Sequence, residues 1–202
     1  SSLHDHVNSA AQANALRTPS EATLATLART EAWLAESAHD GVARALISLG
    51  DDAYPAPLLE MEDPPVLLYA MGELAALTGW GERRALAMVG TRHPTAHGAS
   101  TARAFARAFA QAGICVVSGW AHGVDGEAHE GALEGALPGR AATLAVVGTG
   151  LDRVYPRTHR DLARRIAQRG ILLSEYPIGT PPVPANFPKR NRLIAGLSQG
   201  TL

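Results

Sequence analysis

The segment RALAMVGTRHPTAHGASTARAFARAFAQAGICVVSG, residues 84–119, contains two apolar runs on either side of a helix-like region. Within that region Ala102, Phe105, Phe109 and Ala112 recur at the spacing of one helix face, which predicts that both phenylalanines pack in a core. Apolar strands that alternate with amphipathic helices are typical of a parallel sheet covered by helices on both faces. The segment therefore predicts an α/β fold, with Gly113 ending the helix.

The same alternation continues to the end of the chain. The remaining predicted elements are a helix at 123–136, a strand at 141–148, a helix at 157–170 that Gly170 ends, a strand at 171–176 and, after a basic loop, a helix at 190–198. Residues 83–202 are thus predicted to form one extended Rossmann-like domain.

Two other regions precede this domain. Residues 1–45 are rich in alanine and predict a small helical region, for which the candidate apolar anchors are Leu24, Leu27, Leu34, Leu46 and Leu49. Residues 46–82 carry four prolines around one short strand, VLLYAMG, and predict a linker packed on the main domain.

Composition restricts the class of protein. The 202 residues include one cysteine, Cys115, which excludes an internal disulfide and a cysteine-based zinc site. No apolar run is long enough for a membrane span and the first residues do not resemble a signal peptide, so we expect a cytoplasmic protein without a membrane partner. The net charge of −1 hides a split: residues 1–90 hold 12 acids and five bases, whereas residues 91–202 hold seven acids and 13 bases. The second part of the chain is therefore expected to attract anions.

The loops after the predicted strands are small, polar and rich in glycine. In parallel sheets ligands bind at the carboxyl ends of the strands, where glycine amides and helix N-termini favour phosphate. No dinucleotide fingerprint and no phosphate-binding P-loop is present, so no cofactor is predicted. The basic segment NFPKRNR, residues 186–192, suits a nucleic-acid backbone better. The candidate DNA-binding residues are Gly90, Thr91, Arg92, Ser118, Gly119, Gly148, Thr149, Gly150, Phe187, Lys189, Arg190, Asn191 and Arg192.

Catalytic and metal-binding patterns are weak. His122, Asp125 and His129 lie close together in sequence, but without a further ligand pair Asp125 is better explained as a helix cap and His129 as a packed side chain. Ser118 is not part of a nucleophile elbow, and Glu175 has no partner acid. We predict neither a metal site nor a catalytic residue.

Four blocks of the sequence resemble successive signature blocks of the DprA/Smf family, the DNA-processing proteins of natural transformation. They begin at Met88, Val116, Ala145 and Gly170, and the resemblance covers about residues 46–202. It implies a domain that binds and protects single-stranded DNA and helps to load the RecA recombinase. It also implies a homodimer in the full-length protein and an N-terminal region resembling a sterile alpha motif. On this basis Gly90, Thr91 and Arg92 match one DNA-binding loop, and Phe187 with residues 189–192 matches the other.

Several alternatives remain open from the sequence. Phe187 is either a face on which a base stacks or a plug against the sheet, and Arg192 is either a phosphate contact or a strut that binds Glu175. The family usually has leucine and a basic residue where this chain has Trp120 and His122. Its sheet continues past the point at which this sequence stops, which implies an incomplete domain. The alternative function is a nucleotide-binding enzyme of a related fold, similar to phosphoribohydrolases.

Overall fold

The computed structural model describes residues 17–202, and residues 1–16 of the predicted helical region lie outside this range. The helices are α1 (Glu21–Ala35), α2 (Ser37–Asp40), α3 (Ala96–Gln111), α4 (Val124–Glu134), α5 (Arg160–Arg169) and α6 (Asn186–Gly196). The strands are β1 (Arg44–Ser48), β2 (Leu67–Gly72), β3 (Ala85–Ala87), β4 (Cys115–Ser118), β5 (Thr143–Val146) and β6 (Ile171–Ser174).

The six strands form one mixed sheet in the order β1-β2-β6-β5-β4-β3. Strands β3 to β6 are parallel, as the alternation of strands and helices predicts. Strands β1 and β2, which come almost entirely from the segment expected to be a linker, extend the sheet with antiparallel pairings. The segment is thus part of the sheet and adds to the area on which helices pack.

Helices cover both faces of the sheet, which confirms the predicted α/β architecture. Alternate strand residues point to opposite faces: Ala145 and Leu172 pack with α5, whereas Leu144 and Leu173 pack with α6. The indole of Trp80 donates a hydrogen bond of 2.9 Å to the carbonyl of Leu197, which fastens the end of α6 to the segment before β3. None of the helices in residues 17–202 is long and apolar enough to cross a bilayer.

The predicted core was wrong at several apolar residues. Phe105 is half-exposed, and so are most of the leucines proposed as anchors, namely Leu24, Leu27, Leu46 and Leu49. In α3 the alanines face α4 instead, with Ala106 and Ala110 buried against it. Small residues on both helices let their backbones approach closely, so the bulkier phenylalanine is turned towards solvent.

Two glycines of α4 show how close this approach is. A Cβ on Gly131 would lie 2.8 Å from the carbonyl carbon of Arg103, and one on Gly135 would lie 3.0 Å from that of Arg107. The side chain of Arg103 forms an ion pair with Glu134 of α4. Helices α3 and α4 therefore behave as one tightly packed layer.

The helix end predicted at Gly113 is confirmed, and Thr95, which was not predicted as a cap, begins the same helix. The hydroxyl of Thr95 accepts a hydrogen bond of 3.0 Å from the amide of Gly98 and caps the start of α3. Gly113 follows α3 with a φ of 72°, a left-handed conformation that glycine adopts without strain. Thr95 thus ends the loop that follows β3, and Gly113 begins the loop that leads into β4.

Candidate nucleic-acid interface

A cleft of about 180 Å³ lies at the carboxyl ends of β3 to β5, between the loop after β3 and the start of α6. We call it the rim cleft. Its lining residues are Val89, Gly90, Arg92, Ala121, Asp125, Phe187, Pro188, Arg190, Asn191 and Ile194. The first and last of the predicted binding segments thus meet at one site.

The loop that carries Arg92 rests on the turn before α4. Gly123 adopts a φ of 80°, and a Cβ there would lie 2.7 Å from the carbonyl carbon of Arg92. The amide of Val124 donates a hydrogen bond of 3.1 Å to the carbonyl of Thr91. Close backbone contact therefore fixes this loop, and the side chain of Arg92 remains exposed.

The whole basic segment is helical, whereas the sequence predicted a loop before residue 190. Helix α6 begins at Asn186, and the amide of its side chain donates a hydrogen bond of 3.1 Å to the carbonyl of Gly148, which anchors the first turn to the loop after β5. Lys189 and Asn191 are exposed, whereas Arg190 is only 4 % exposed. The helical period separates neighbouring residues of the basic segment into different environments.

Arg190 lies inside the protein. Its Nη1 donates a hydrogen bond to the carbonyl of Val146, and its buried Nε has no hydrogen-bond partner among residues 17–202. Burial lowers the pKa of Arg190, and the nearby carboxylate of Asp125 opposes this shift. Arg190 thus forms the inner wall of the rim cleft and joins α6 to β5.

Arg190 and Asp125 both approach the side of Gly119 that a side chain would otherwise occupy. A Cβ at this position would meet the Asp125 carboxylate and lie 2.7 Å from Nη2 of Arg190. Burial raises the pKa of Asp125, although its carboxylate accepts a hydrogen bond of 3.1 Å from the amide of Ala121. That amide precedes α4, so the prediction that Asp125 caps the helix itself was wrong.

Arg192 forms a strut, one of the two alternatives left open by the sequence. Its Nη2 pairs with the Glu175 carboxylate, and its Nε lies 3.5 Å from the carboxylate of Asp63. Arg192 therefore joins α6 to the loop after β6, and its charge is balanced by protein carboxylates.

Phe187 packs on one side and is open on the other. Its Cδ1 would lie 3.1 Å from a Cβ on Gly148, so a side chain there would crowd the ring, and its ring centroid is 6.0 Å from that of Tyr155. Tyr155 is half-exposed and was not among the predicted site residues. Its position in the loop after β5 was a usable signal, since that loop was already placed at the ligand-binding edge. The two rings form an aromatic step beside Arg92.

The other predicted loop residues lie beneath this surface. The hydroxyl of Ser118 donates a hydrogen bond of 2.6 Å to the carbonyl of Met88, and Gly119 is buried beside it. Gly148, Thr149 and Gly150 are buried as well. These five residues shape the floor of the site, and within the described fold none of them presents an open surface to a ligand.

Residues 45–202 match the family model for DNA recombination-mediator protein A. The chain belongs to this family. Protein Smf of Synechocystis is 45% identical over 152 residues, which are 75% of this chain and 37% of the relative. DNA processing protein DprA of Bacillus subtilis is 36% identical over 156 residues, which are 77% of this chain and 50% of the relative. The chain thus spans half or less of the length of these curated relatives.

Two solved structures of family members share the fold. The X-ray structure of DprA from Streptococcus pneumoniae matches with a TM-score of 0.68 at 36% identity, over 85% of this chain and 56% of that chain. DprA from Helicobacter pylori, whose structure is described in terms of its single-stranded DNA binding mode, matches with a TM-score of 0.65 at 32% identity. This match covers 78% of the present chain and 67% of the Helicobacter pylori chain. The family resemblance inferred from the sequence is therefore confirmed.

This member of the recombination-mediator family carries a histidine and tryptophan cluster beside the rim cleft. The ring of His159 lies 5.2 Å from those of both Trp120 and His122. Burial, followed by the charge of His122, lowers the pKa of His159. Trp120 is buried, whereas His122 is exposed next to Arg92.

His129 lies deeper and has a structural environment. Its two ring nitrogens form hydrogen bonds of 2.7 Å with the hydroxyl of Thr143 and with the carbonyl of Gly119. Burial lowers the pKa of His129 to about 4, so the ring is neutral near neutral pH. Within residues 17–202 no group of three histidine, cysteine or acidic side chains is arranged to hold a metal ion.

Proposed function

We propose that the rim cleft binds single-stranded DNA. Arg92 and Lys189 supply the phosphate contacts, and Phe187 and Tyr155 supply a surface on which bases stack. The observation that carries this proposal is that the exposed Arg92 lines the rim cleft beside the partly exposed aromatic step, while the exposed Lys189 lies on the first turn of α6, which carries Phe187. Stacking tolerates any base, so this arrangement suits a binder without sequence preference.

The charges of Arg92 and Lys189 are available to a ligand. Neither side chain forms an ion pair with another part of residues 17–202. In this they differ from Arg192 and Arg103, which are paired with carboxylates. A phosphodiester is an anion that both free cations can contact.

We further propose that the chain acts as a non-catalytic mediator in the cytoplasm. In this role it protects single-stranded DNA during natural transformation, and the full-length protein works as a homodimer that loads the RecA recombinase. Family membership supports this role, as does the naming of relatives as DNA-processing proteins. Arg190, Arg192 and the buried glycine loops then position the contact residues rather than touch DNA, whereas Asn191 is exposed in the cleft lining.

Fluorescence anisotropy with labelled oligo-dT tests DNA binding directly. We expect Arg92→Ala and Lys189→Ala each to weaken binding about tenfold, the cost of one charge-assisted hydrogen bond of about 1.4 kcal/mol. Arg107→Ala is the matched control, because Arg107 is exposed on α3 and remote from the cleft lining. Equal losses in the control and the cleft variants would show diffuse electrostatic attraction and contradict the assignment. Duplex DNA should bind more weakly, since no helix is presented as a major-groove reader.

Loading is tested separately, with RecA and single-stranded DNA coated by single-strand-binding protein. The protein should shorten the lag of RecA ATP hydrolysis, and Arg92→Ala should lose this effect in proportion to its lost DNA binding. If DNA binding is intact but the lag does not change, this chain binds DNA without mediating.

A further inference from the structure

A second cavity lies at the opposite edge of the parallel strands, where β3, β4 and β5 begin. It has a volume of about 460 Å³, larger than the rim cleft. We call it the basal cavity and define it by Arg83, Arg84, Gly113, Ile114, Leu137 and Arg140, which line it. None of these residues belongs to the proposed DNA site.

Two guanidinium groups approach each other beside a glycine in this cavity. Nη1 of Arg140 lies 2.7 Å, and Nη2 of Arg84 lies 3.6 Å, from the point where a Cβ of residue 113 would stand. The bare Cα of Gly113 thus leaves room for both groups to approach the same point. Like charges this close repel, unless an anion or solvent lies between them.

Protein carboxylates do not neutralise these charges. Arg83, Arg84 and Arg140 take part in no ion pair with any of residues 17–202. Glu82 also lines the cavity, but it is exposed and forms no ion pair with the three arginines. Three uncompensated arginines around one concave surface form a site that attracts an anion.

Hydrogen-bond donors remain free in the same place. Nη2 of Arg84 donates a bond of 2.6 Å to the carbonyl of Ala112, which holds this side chain against the end of α3. The Nε of Arg83 is buried and has no partner within the described chain. Arg140 forms no side-chain hydrogen bond there either. A guanidinium offers five donors in a planar fork, which matches the oxygens of a phosphate group.

The size and lining of the cavity point to a class of ligand. Its volume lies within the range of about 300–1,000 Å³ that is usual for small-molecule sites. Three arginines exceed the charge of a single phosphate, and Ile114 and Leu137 add an apolar wall to the cationic side. We propose that the basal cavity binds an oligophosphate anion, the class that includes inorganic tripolyphosphate and free nucleoside triphosphates, at a site separate from the rim cleft.

Calorimetric titration of the whole chain tests this proposal in magnesium-free buffer with the rim cleft saturated by oligo-dT. We expect tripolyphosphate and ATP each to bind with one equivalent per chain, and adenosine not to bind. Equal affinities would mean that the phosphate chain alone is recognised, and a higher affinity for ATP would mean that the nucleoside contacts the apolar wall. Both results support the site. No binding of either phosphate ligand, or displacement of the ligand by oligo-dT, would overturn it.

Variants then locate the site. Arg140→Gln should weaken tripolyphosphate binding about tenfold without unfolding the protein, because the side chain makes no hydrogen bond or ion pair with the described residues. Arg164→Gln is the matched control, since Arg164 is an exposed arginine of α5 outside the cavity. Arg92→Ala should lose DNA affinity and keep tripolyphosphate affinity. Unchanged tripolyphosphate binding in Arg140→Gln, or a loss of tripolyphosphate binding in Arg92→Ala, would refute a separate basal site.

Discussion

Arg190 has a guanidinium group, which is suited to binding phosphate, but in this protein it links two elements of the fold. Its guanidinium donates a hydrogen bond to the carbonyl of Val146 in β5, and the carboxylate of Asp125 approaches the same side of Gly119 as the guanidinium. Because the group is buried, its loss would leave the carbonyl of Val146 without a donor and Asp125 without its nearest positive charge.

We expect Arg190→Ala to lower the free energy of unfolding by about 1–3 kcal/mol, the cost of leaving buried polar groups unpaired. Lys189→Ala, on the neighbouring exposed residue, should change it by less than about 0.5 kcal/mol. Urea titrations followed by circular dichroism measure both. Equal stability of the two variants would contradict a structural role for Arg190.

His129 makes stability depend on pH in a defined window. Its pKa falls from an ordinary 6.5 to about 4 in the folded protein. The unfolded chain therefore takes up a proton before the folded one, so stability is complete above pH 6.5 and declines as the pH falls towards 4. The loss over the full window is about 3 kcal/mol at most. The raised pKa of Asp125 acts in the opposite direction.

A comparison with His129→Gln isolates this contribution. The free energy of unfolding of the parent should fall between pH 7 and pH 5 more steeply than that of the variant, although the variant is less stable overall. Parallel pH profiles of the two proteins would show that His129 does not titrate as described.

Secondary-structure elements position the residues proposed to contact DNA, and the loop after β3, which carries Arg92, rests on the turn before α4. Gly123 adopts a left-handed φ of 80° and lies against the backbone of Thr91 and Arg92. A side chain at this position is both strained and obstructed. The orientation of Arg92 is thus set by a residue that does not reach the cleft.

Gly123→Ala should therefore weaken oligo-dT binding about as much as Arg92→Ala does, with a lower melting temperature as a second effect. In the double variant Gly123→Ala/Arg92→Ala the two losses of binding should not add, because both remove the same contact. Additive losses would mean that Gly123 acts through another part of the site.

The predictability of these elements from sequence differs from place to place. The strands β3 to β6 were readable, because each is a continuous apolar run between polar loops. The start of α6 was not, because Asn186 follows a proline-rich stretch and its side-chain hydrogen bond is made to Gly148, a contact distant in sequence. A signal did exist, since Arg190 is in helical register with Leu193, Ile194 and Leu197, all of which are buried. The exposed Phe105 was misplaced because alanine spacing and glycines in α4, rather than hydrophobicity, determine how the helices pack.

The acidic and basic residues are unevenly distributed along the chain. The acidic excess lies before residue 91 and the basic excess after it, and several of those basic residues are already paired with carboxylates. The free charge at the rim cleft is therefore small, even though the basic part of the sequence contains 13 bases. The affinity for single-stranded DNA should therefore depend on salt only as much as a few local phosphate contacts require, and less than it would for a large basic surface.

If Arg92 and Lys189 each neutralise one phosphate, the logarithm of the binding constant for oligo-dT should fall with the logarithm of salt concentration with a slope of about −1.4. Removing either residue should reduce the magnitude of the slope by about 0.7. Anisotropy titrations over a series of salt concentrations give these values. A slope several times steeper would indicate many further phosphate contacts outside the cleft.

The single thiol makes this protein convenient for site-specific chemistry. Cys115 is buried at the start of β4, and burial raises its pKa to about 12, so maleimide reagents should leave it unmodified while the fold is intact. A cysteine introduced at the exposed Asn191 can then carry a fluorophore beside the rim cleft with no need to remove the native one. In the unsubstituted chain, the rate of maleimide modification of Cys115 then reports how often the sheet opens and exposes this thiol.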